Sequence, residues 1–147
     1  MYSQVINYIK QRVDISQQEI EESLKYSDFK TYAKGDYILR AGEYCRFIGF
    51  LNKGFIVTTF VDDTGNEKAA EFKHEGCFFT YTEGLAGNSP SHKNFIAIED
   101  CEALVLNKDH LALIFKNNPK FEALFSQILA EELRLVLLND QNSKALS

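Results

Sequence analysis

From residue 35 onward the chain is cut into short pieces by glycine, at positions 35, 42, 54, 65, 76, 84 and 87. Between and after these glycines stand runs rich in β-branched and aromatic residues: "YIL", "FIGFL", "FIVTTFV", "KAAEFK", "FFTY", "NFIAI" and "EALVLN". Such runs are too short for helices, and they are punctuated by glycine, which reaches positive φ at little steric cost. A chain patterned this way must reverse direction often, which predicts an all-β sandwich or roll with many corners. "FVDDTGNEKAAEF" reads as one of its hairpins, because Asp62 to Asn66 supply turn formers between two strand-like runs.

Helical periodicity brackets this β region. Val5, Ile6, Ile9 and Val13 recur on one helical face, and "SQQE" sets Ser16 and Glu19 at capping-box spacing ahead of Ile20 and Leu24. After Leu106, Asn107 is a candidate N-cap with Asp109 in the first turn, and Leu111, Ile114 and Phe115 follow at helical spacing. Asn118–Pro119 then predicts a new helix start, since proline in the first helical position forfeits no helical hydrogen bond. That last helix is expected to run to about Asn139, roughly 30 Å at 1.5 Å per residue. Phe121, Leu124, Phe125, Ile128 and Leu129 form one stripe on it, whereas "LRLVLL" from Leu133 to Leu138 is apolar nearly all round. A helix of that kind needs cover on more than one side. It is either a core helix or one that packs on its symmetry mate in a homodimer, the reading adopted here, through Phe125, Ile128, Leu129, Leu133, Val136 and Leu137.

Bulk properties exclude several classes. With 147 residues, 45% of them hydrophobic, the chain is expected to form one domain with a substantial core. A net charge of −5 lacks the basic bias of non-specific nucleic-acid binding. Cys45, Cys77 and Cys101 are odd in number and never form a C-x-x-C pair, which argues against a disulfide framework or a zinc knuckle and fits a reducing cytoplasm. The N-terminus mixes polar and apolar residues too finely for a signal peptide, and no apolar run approaches the ~18 residues of a membrane span. A soluble, cytoplasmic protein without membrane contact is expected.

The ordered corners carry a more specific signal. Residues 32 to 72 resemble the run of corners in the cyclic-nucleotide-binding domain of the catabolite-activator (Crp/Fnr) family of bacterial transcription regulators. Gly35 stands where the family opens its first long strand, Gly42–Glu43 at its "G-E" corner, Lys53–Gly54 at its "K-G" turn, and Asp63 to Glu67 at its "d-x-x-G-x-e" hairpin. "IAIEDCEALVLNKDHLALIFKNNPKF" is similar to the family's last strands, short helix and the proline before its dimer helix. The resemblance implies a mainly β fold with flanking helices: a double-stranded jelly-roll-like barrel, or β-roll, with N-terminal helices and a long C-terminal dimerisation helix. Residues 1–26 are then N-terminal helices, 27–107 a β-roll sensor core, 108–140 a short helix and a dimerisation helix, and 141–147 a tail or linker. Where this chain ends, the family's helix-turn-helix domain would begin, so DNA binding is expected only through a C-terminal domain absent from this chain.

In cyclic-nucleotide-binding members of the family, the phosphate loop resembles "F-G-E-L" followed by "R-S/T-A". A guanidinium fork and helix-terminal N–H groups match the cyclic phosphate, and the glutamate accepts from the ribose hydroxyl. Aligned on Gly76 and on "DCEAL", this chain puts Thr80–Tyr81 in place of "G-E" and Ser91–His92–Lys93 in place of "R-S-A". A shifted alignment makes Glu83 the acid and Lys93 the base, at the expense of the following strand's register and with a point charge in place of the fork. The resemblance therefore implies a degenerate pocket loop, Gly76, Phe78, Thr80, Tyr81, Glu83, Ser91, His92 and Lys93, that keeps the architecture of a ligand site without the usual anchors. Phe78, Phe79 and Tyr81 could line it, although alternate strand residues ordinarily face a core; Tyr81 lies on the expected pocket side.

No catalytic residue and no cofactor is expected. His74, His92 and His110 are scattered, with no His-x-His pair to hold a metal, and no nucleophile–base pair or Walker-type loop is present. The expected role is ligand sensing and dimerisation within a Crp/Fnr-like regulator, with itself and an unidentified small-molecule effector as partners. The alternatives are a cyclic-nucleotide module using Glu83 and Lys93, a ligand-free interaction module, and a cupin-like enzyme.

Overall fold

The computed structural model describes the backbone of residues 2–146, and their side chains except at 86, 132–133 and 135–146. Two helices come first, α1 (Ser3–Lys10) and α2 (Gln17–Leu24). Eight strands follow: β1 (Asp28–Tyr32), β2 (Tyr37–Leu39), β3 (Phe47–Lys53), β4 (Phe55–Val61), β5 (Glu67–His74), β6 (Phe78–Phe79), β7 (Asn94–Ala97) and β8 (Cys101–Asn107). A short helix, α3 (Thr82–Gly87), interrupts them between β6 and β7, and α4 (Lys108–Asn117) and α5 (Pro119–Leu146) close the chain. The capping signals act as read: Ser16 and Glu19 make a reciprocal box, Asn107 accepts from the His110 N–H at 2.9 Å, and α5 begins at Pro119. The Asp62 carboxylate organises the hairpin by accepting from the backbone N–H of Thr64 (3.0 Å) and of Asn66 (2.9 Å).

The strands form two antiparallel four-stranded sheets, ordered β1-β8-β3-β6 and β2-β7-β4-β5. They share no strand, so the roll is a pair of facing sheets and the expected barrel does not close. Among the described residues, no helix is long and apolar enough to cross a membrane.

Strand alternation sends side chains to two separate cores. From β3, Ile48 and Phe50 face the helices, while Leu51 faces the second sheet; β8 splits in the same way, with Leu104 on one side and Ala103 and Val105 on the other. The helix-side core gathers Val5, Ile9, Ile20, Leu24, Ile114 and Phe121. The inter-sheet core centres on Phe79, which is fully buried, a burial contributing about 1.5–3 kcal/mol. Room for its ring depends on Gly49, directly opposite in register, because a Cβ there would lie 2.3 Å from the Phe79 Cζ. Gly54, at the turn between β3 and β4, combines a φ of +109° with an approach to Cys101 that leaves no space for a side chain.

Candidate functional site

The site is built on the inner face of the sheet β2-β7-β4-β5. Residues opposite one another on neighbouring antiparallel strands share a face. Thr58 on β4 stands opposite Glu71 on β5 and opposite Phe95 on β7, and Ile56 stands opposite Lys73 and Ala97. Since Ile56, Phe95 and Ala97 belong to the inter-sheet core, Glu71 and Lys73 are carried inward with them. A bulge sets this phase: adjacent Thr58 and Thr59 pair with Glu71 and Ala69, two residues apart on β5. Phe72, between the two charges, is consequently turned outward, where it is 58% exposed and leans on Phe55 with ring centroids 5.8 Å apart.

Lys93, two residues ahead of Phe95, enters from β7's leading end. Lys73 and Lys93 are only 5% and 7% exposed, and Glu71 lies between them. Its Oε2 is 3.0 Å from the Lys73 Nζ and its Oε1 is 3.6 Å from the Lys93 Nζ. The Thr58 hydroxyl fixes the backbone beneath this group by accepting from the Glu71 N–H at 3.0 Å. Glu83, in the first turn of α3, has its Oε2 buried with no hydrogen-bond partner. These charges, with Thr80, Tyr81, Thr82 and Phe95, enclose a cavity of about 10 Å³, room for a single water.

The loop residues divide around this cavity. Glu83 and Lys93 line it together, with Thr80 and Tyr81. Tyr81 is buried, and its hydroxyl shares a hydrogen bond with Nδ1 of His92, whose ring it meets edge-on at 5.4 Å between centroids. Burial first, and then the hydrogen bonding and charge of Glu83, hold the Tyr81 phenol neutral well above its ordinary range, against a smaller pull from His92. Thr80 donates to the Phe47 carbonyl at 2.8 Å. Ser91 is taken up by the fold: its hydroxyl donates to the Lys93 carbonyl at 2.7 Å and its own N–H donates to the Glu43 carbonyl at 2.7 Å. Gly76 makes the turn into β6 at a φ of +84° and does not line the cavity. Phe78 points the other way, into the helix-side core against Tyr8, Phe50 and Phe125. Glu71, Lys73 and Thr58 are absent from the sequence-based set, and the signal available was the alternation of charge and aromatic in "EFK".

On α5, Phe125 and Ile128, expected at a dimer interface, are buried in the chain's own helix-side core, and Leu129 is half-buried. Leu133, Val136 and Leu137 lie outside the described side chains. Among the described residues, no three His, Cys, Asp or Glu side chains converge as a metal site would require.

Residues 29–118 match the family described as the cyclic nucleotide-binding domain. No curated protein sequence matches the chain. Among solved structures, the fold is similar to that of the Thermus thermophilus catabolite activator protein, with a TM-score of 0.76 and 19% identity over 88% of this chain and 61% of that one. It is similar also to the N-terminal domain of a transcriptional regulator from Streptomyces coelicolor A3(2), with a TM-score of 0.70 and 15% identity over 86% of this chain and 92% of that one. A third likeness is to the regulatory subunit of a cAMP-independent protein kinase A from Trypanosoma brucei, in a mutant bound to cAMP, with a TM-score of 0.70 and 20% identity over 92% of this chain and 50% of that one. At these identities the structures share a fold, and the chain spans less than two thirds of the activator's length. With the family pattern covering well over half of its residues, the chain belongs to the cyclic nucleotide-binding domain family.

Proposed function

We propose that this chain is the ligand-sensing and dimerisation domain of a Crp/Fnr-like transcription regulator, and that it does not take cAMP through the usual glutamate and arginine. One observation carries the second half: the segment from Gly76 to Ala97 contains no arginine, and its two charged groups in the cavity, Glu83 and Lys93, face only about 10 Å³ of free space. Arginine offers a planar fork to phosphate where lysine offers a point charge. The Trypanosoma protein supports the same reading, since it is described as cAMP-independent and is bound to cAMP as a mutant that exchanges a threonine for arginine, a glutamate for alanine and a valine for alanine. In this proposal the effector is a small molecule other than cAMP, the partner is a second copy of the chain, and DNA is read by a separate C-terminal domain.

Titration calorimetry with cAMP and cGMP tests it. Loss of a bidentate phosphate contact and a hydroxyl acceptor forfeits roughly 3–6 kcal/mol, at about 1.5–3 for each bond to a charged group. That is on the order of a hundred- to ten-thousand-fold in affinity, so neither nucleotide should give a micromolar isotherm. A micromolar isotherm abolished by Lys93→Ala would instead establish the shifted register, with Glu83 and Lys93 as anchors.

A further inference from the structure

We infer that Glu71 is a built-in anion: its carboxylate fills an oxyanion site formed by Lys73 and Lys93, and the ligand that site takes once Glu71 is out of the way is a small oxyanion such as phosphate. The inference deepens the sensor-domain reading and rests on it for the location of the ligand pocket.

The geometry is that of a bridging ligand. The two carboxylate oxygens each address a different ammonium, Lys73 at 3.0 Å and Lys93 at 3.6 Å. Both lysines are nine-tenths buried or more. Two ammonium groups taken out of water require an anion between them, because their mutual repulsion adds to their desolvation. Here that anion is covalently part of the chain, so the pocket has its counterion before any ligand arrives. Glu83 completes the charge balance of the cavity, two lysines against two carboxylates, and Glu71 lies within ion-pair distance of both lysines.

An alternative account treats the charges as edge protection. β5 is an outer strand of its sheet, and inward-pointing charges together with a bulge are a known device against edge-to-edge pairing. That accounts for Glu71 and Lys73. It leaves Lys93 unexplained, because β7 lies between β2 and β4 and has no free edge. The convergence of a lysine on β5 with one just ahead of β7, on the other side of β4, is what an anion site requires and what edge protection does not.

The test is thermal unfolding of wild type and Glu71→Ala across a series of inorganic phosphate concentrations, with chloride at matched ionic strength as control. A ligand that prefers the folded state raises the melting temperature. Wild type should be indifferent to phosphate. Glu71→Ala, which removes the carboxylate and opens its place beside a cavity that otherwise holds about one water, should be stabilised by it, with an affinity at least ~10-fold above that of wild type, and Glu71→Ala combined with Lys93→Ala should lose the response. Equal responses in wild type and Glu71→Ala overturn the inference. So does a Glu71→Ala protein that ignores phosphate, or that stays unfolded at every phosphate concentration, since phosphate is expected to stand in for the missing carboxylate. A measurement on wild type decides independently: NMR of the lysine ammonium groups should find those of Lys73 and Lys93 protected from solvent exchange, and free exchange at both contradicts a bridged Glu71. A cAMP titration of wild type separates the two proposals. A micromolar isotherm there overturns the sensor reading, whereas a phosphate-blind Glu71→Ala with cAMP still unbound overturns only the built-in anion.

Discussion

Glu71, Lys73 and Lys93 form a buried ion-pair chain whose side chains are all less than a tenth exposed, and such chains are asymmetric in their energetics. Deleting one member strands the charge of another, at a typical cost of about 3–5 kcal/mol, while replacing the whole set by apolar residues of similar size is often neutral or stabilising. Lys93→Met should therefore destabilise the fold by about 3 kcal/mol, the low end of that range, because Glu71 keeps Lys73. Replacing all three residues with methionine, together with Glu83→Gln so that no carboxylate is left without a counter-charge in the cavity, should recover most of the loss. Urea unfolding of the single and combined variants checks both statements. A combined variant as unstable as the single would show that the ion pairs carry net stability. Tyr81 makes a second residue-level prediction. Its phenol is held neutral by burial and by Glu83, so its folded pKa lies above the ordinary value of about 10. The stabilisation from that neutral, buried phenol is complete below pH ~10 and is lost as pH rises above it, because only the unfolded chain ionises freely there. Tyr32, raised mainly by burial, acts in the same direction. Stability measured from neutral to strongly alkaline pH should accordingly fall less steeply in Tyr81→Phe than in wild type.

Among the elements, those defined by local chemistry were legible and those defined by strand phase were not. Ser16 with Glu19, Asn107, Asn118–Pro119 and the Asp62 turn each satisfy backbone groups within a few residues, so their signals lie in short stretches of chain. The sequence "TEGLAG" reads as loop, since glycine is a poor helix former, yet the chain forms the helix α3 there. β5 is the instructive case. Its partner "FIVTTFV" is apolar on both faces, so nothing local reveals which of "EFK" turns inward, and the answer depends on a bulge set by long-range pairing. That one phase decision separates a solvated charged strand from the charged floor of the pocket. On α5 the stripe from Phe121 to Ile128 was legible as apolar but not as self-covered, and its burial in the chain's own core moves the test of the proposed dimer to the apolar run Leu133–Leu138. Glutamate at both Leu133 and Val136 should place unpaired charge in that interface, a cost of several kcal/mol, and turn a dimer into a monomer in analytical ultracentrifugation. A wild-type monomer at tens of micromolar, where a stable dimer is populated by mass action, would remove dimerisation from the proposal.

At the scale of the whole molecule the chain holds two cores separated by the sheet β1-β8-β3-β6, and only one of them depends on the N-terminal helices. Val5, Ile9, Ile15, Ile20 and Leu24 form the outer wall of the helix-side core, whereas the inter-sheet core draws its buried residues from Leu39 to Val105. The outer wall is also tied to the junction between α4 and α5: Glu19, which caps α2, accepts from the Asn118 side chain and lies 3.7 Å from the Lys120 Nζ. Its carboxyl is held below the usual carboxylate range chiefly by the Asn118 contact, so this tie is present above that range and is lost as pH falls through the lowered value. Removing residues 2–26 should strip the helix-side core and release the start of α5 while the two sheets still face each other around Phe79. The expected product retains its β-sheet far-UV signal, binds an apolar dye and loses cooperative unfolding, the behaviour of a compact state without fixed packing on one side. Hydrogen exchange resolves where the loss falls: amides of α4 and the first turns of α5 should lose protection, and those of β4 and β7 should keep most of theirs. Equal loss across β4 and β7 would mean that the two cores fold as one unit, and that the pocket on the inner face of β4, β5 and β7 cannot form without the helices behind the opposite sheet.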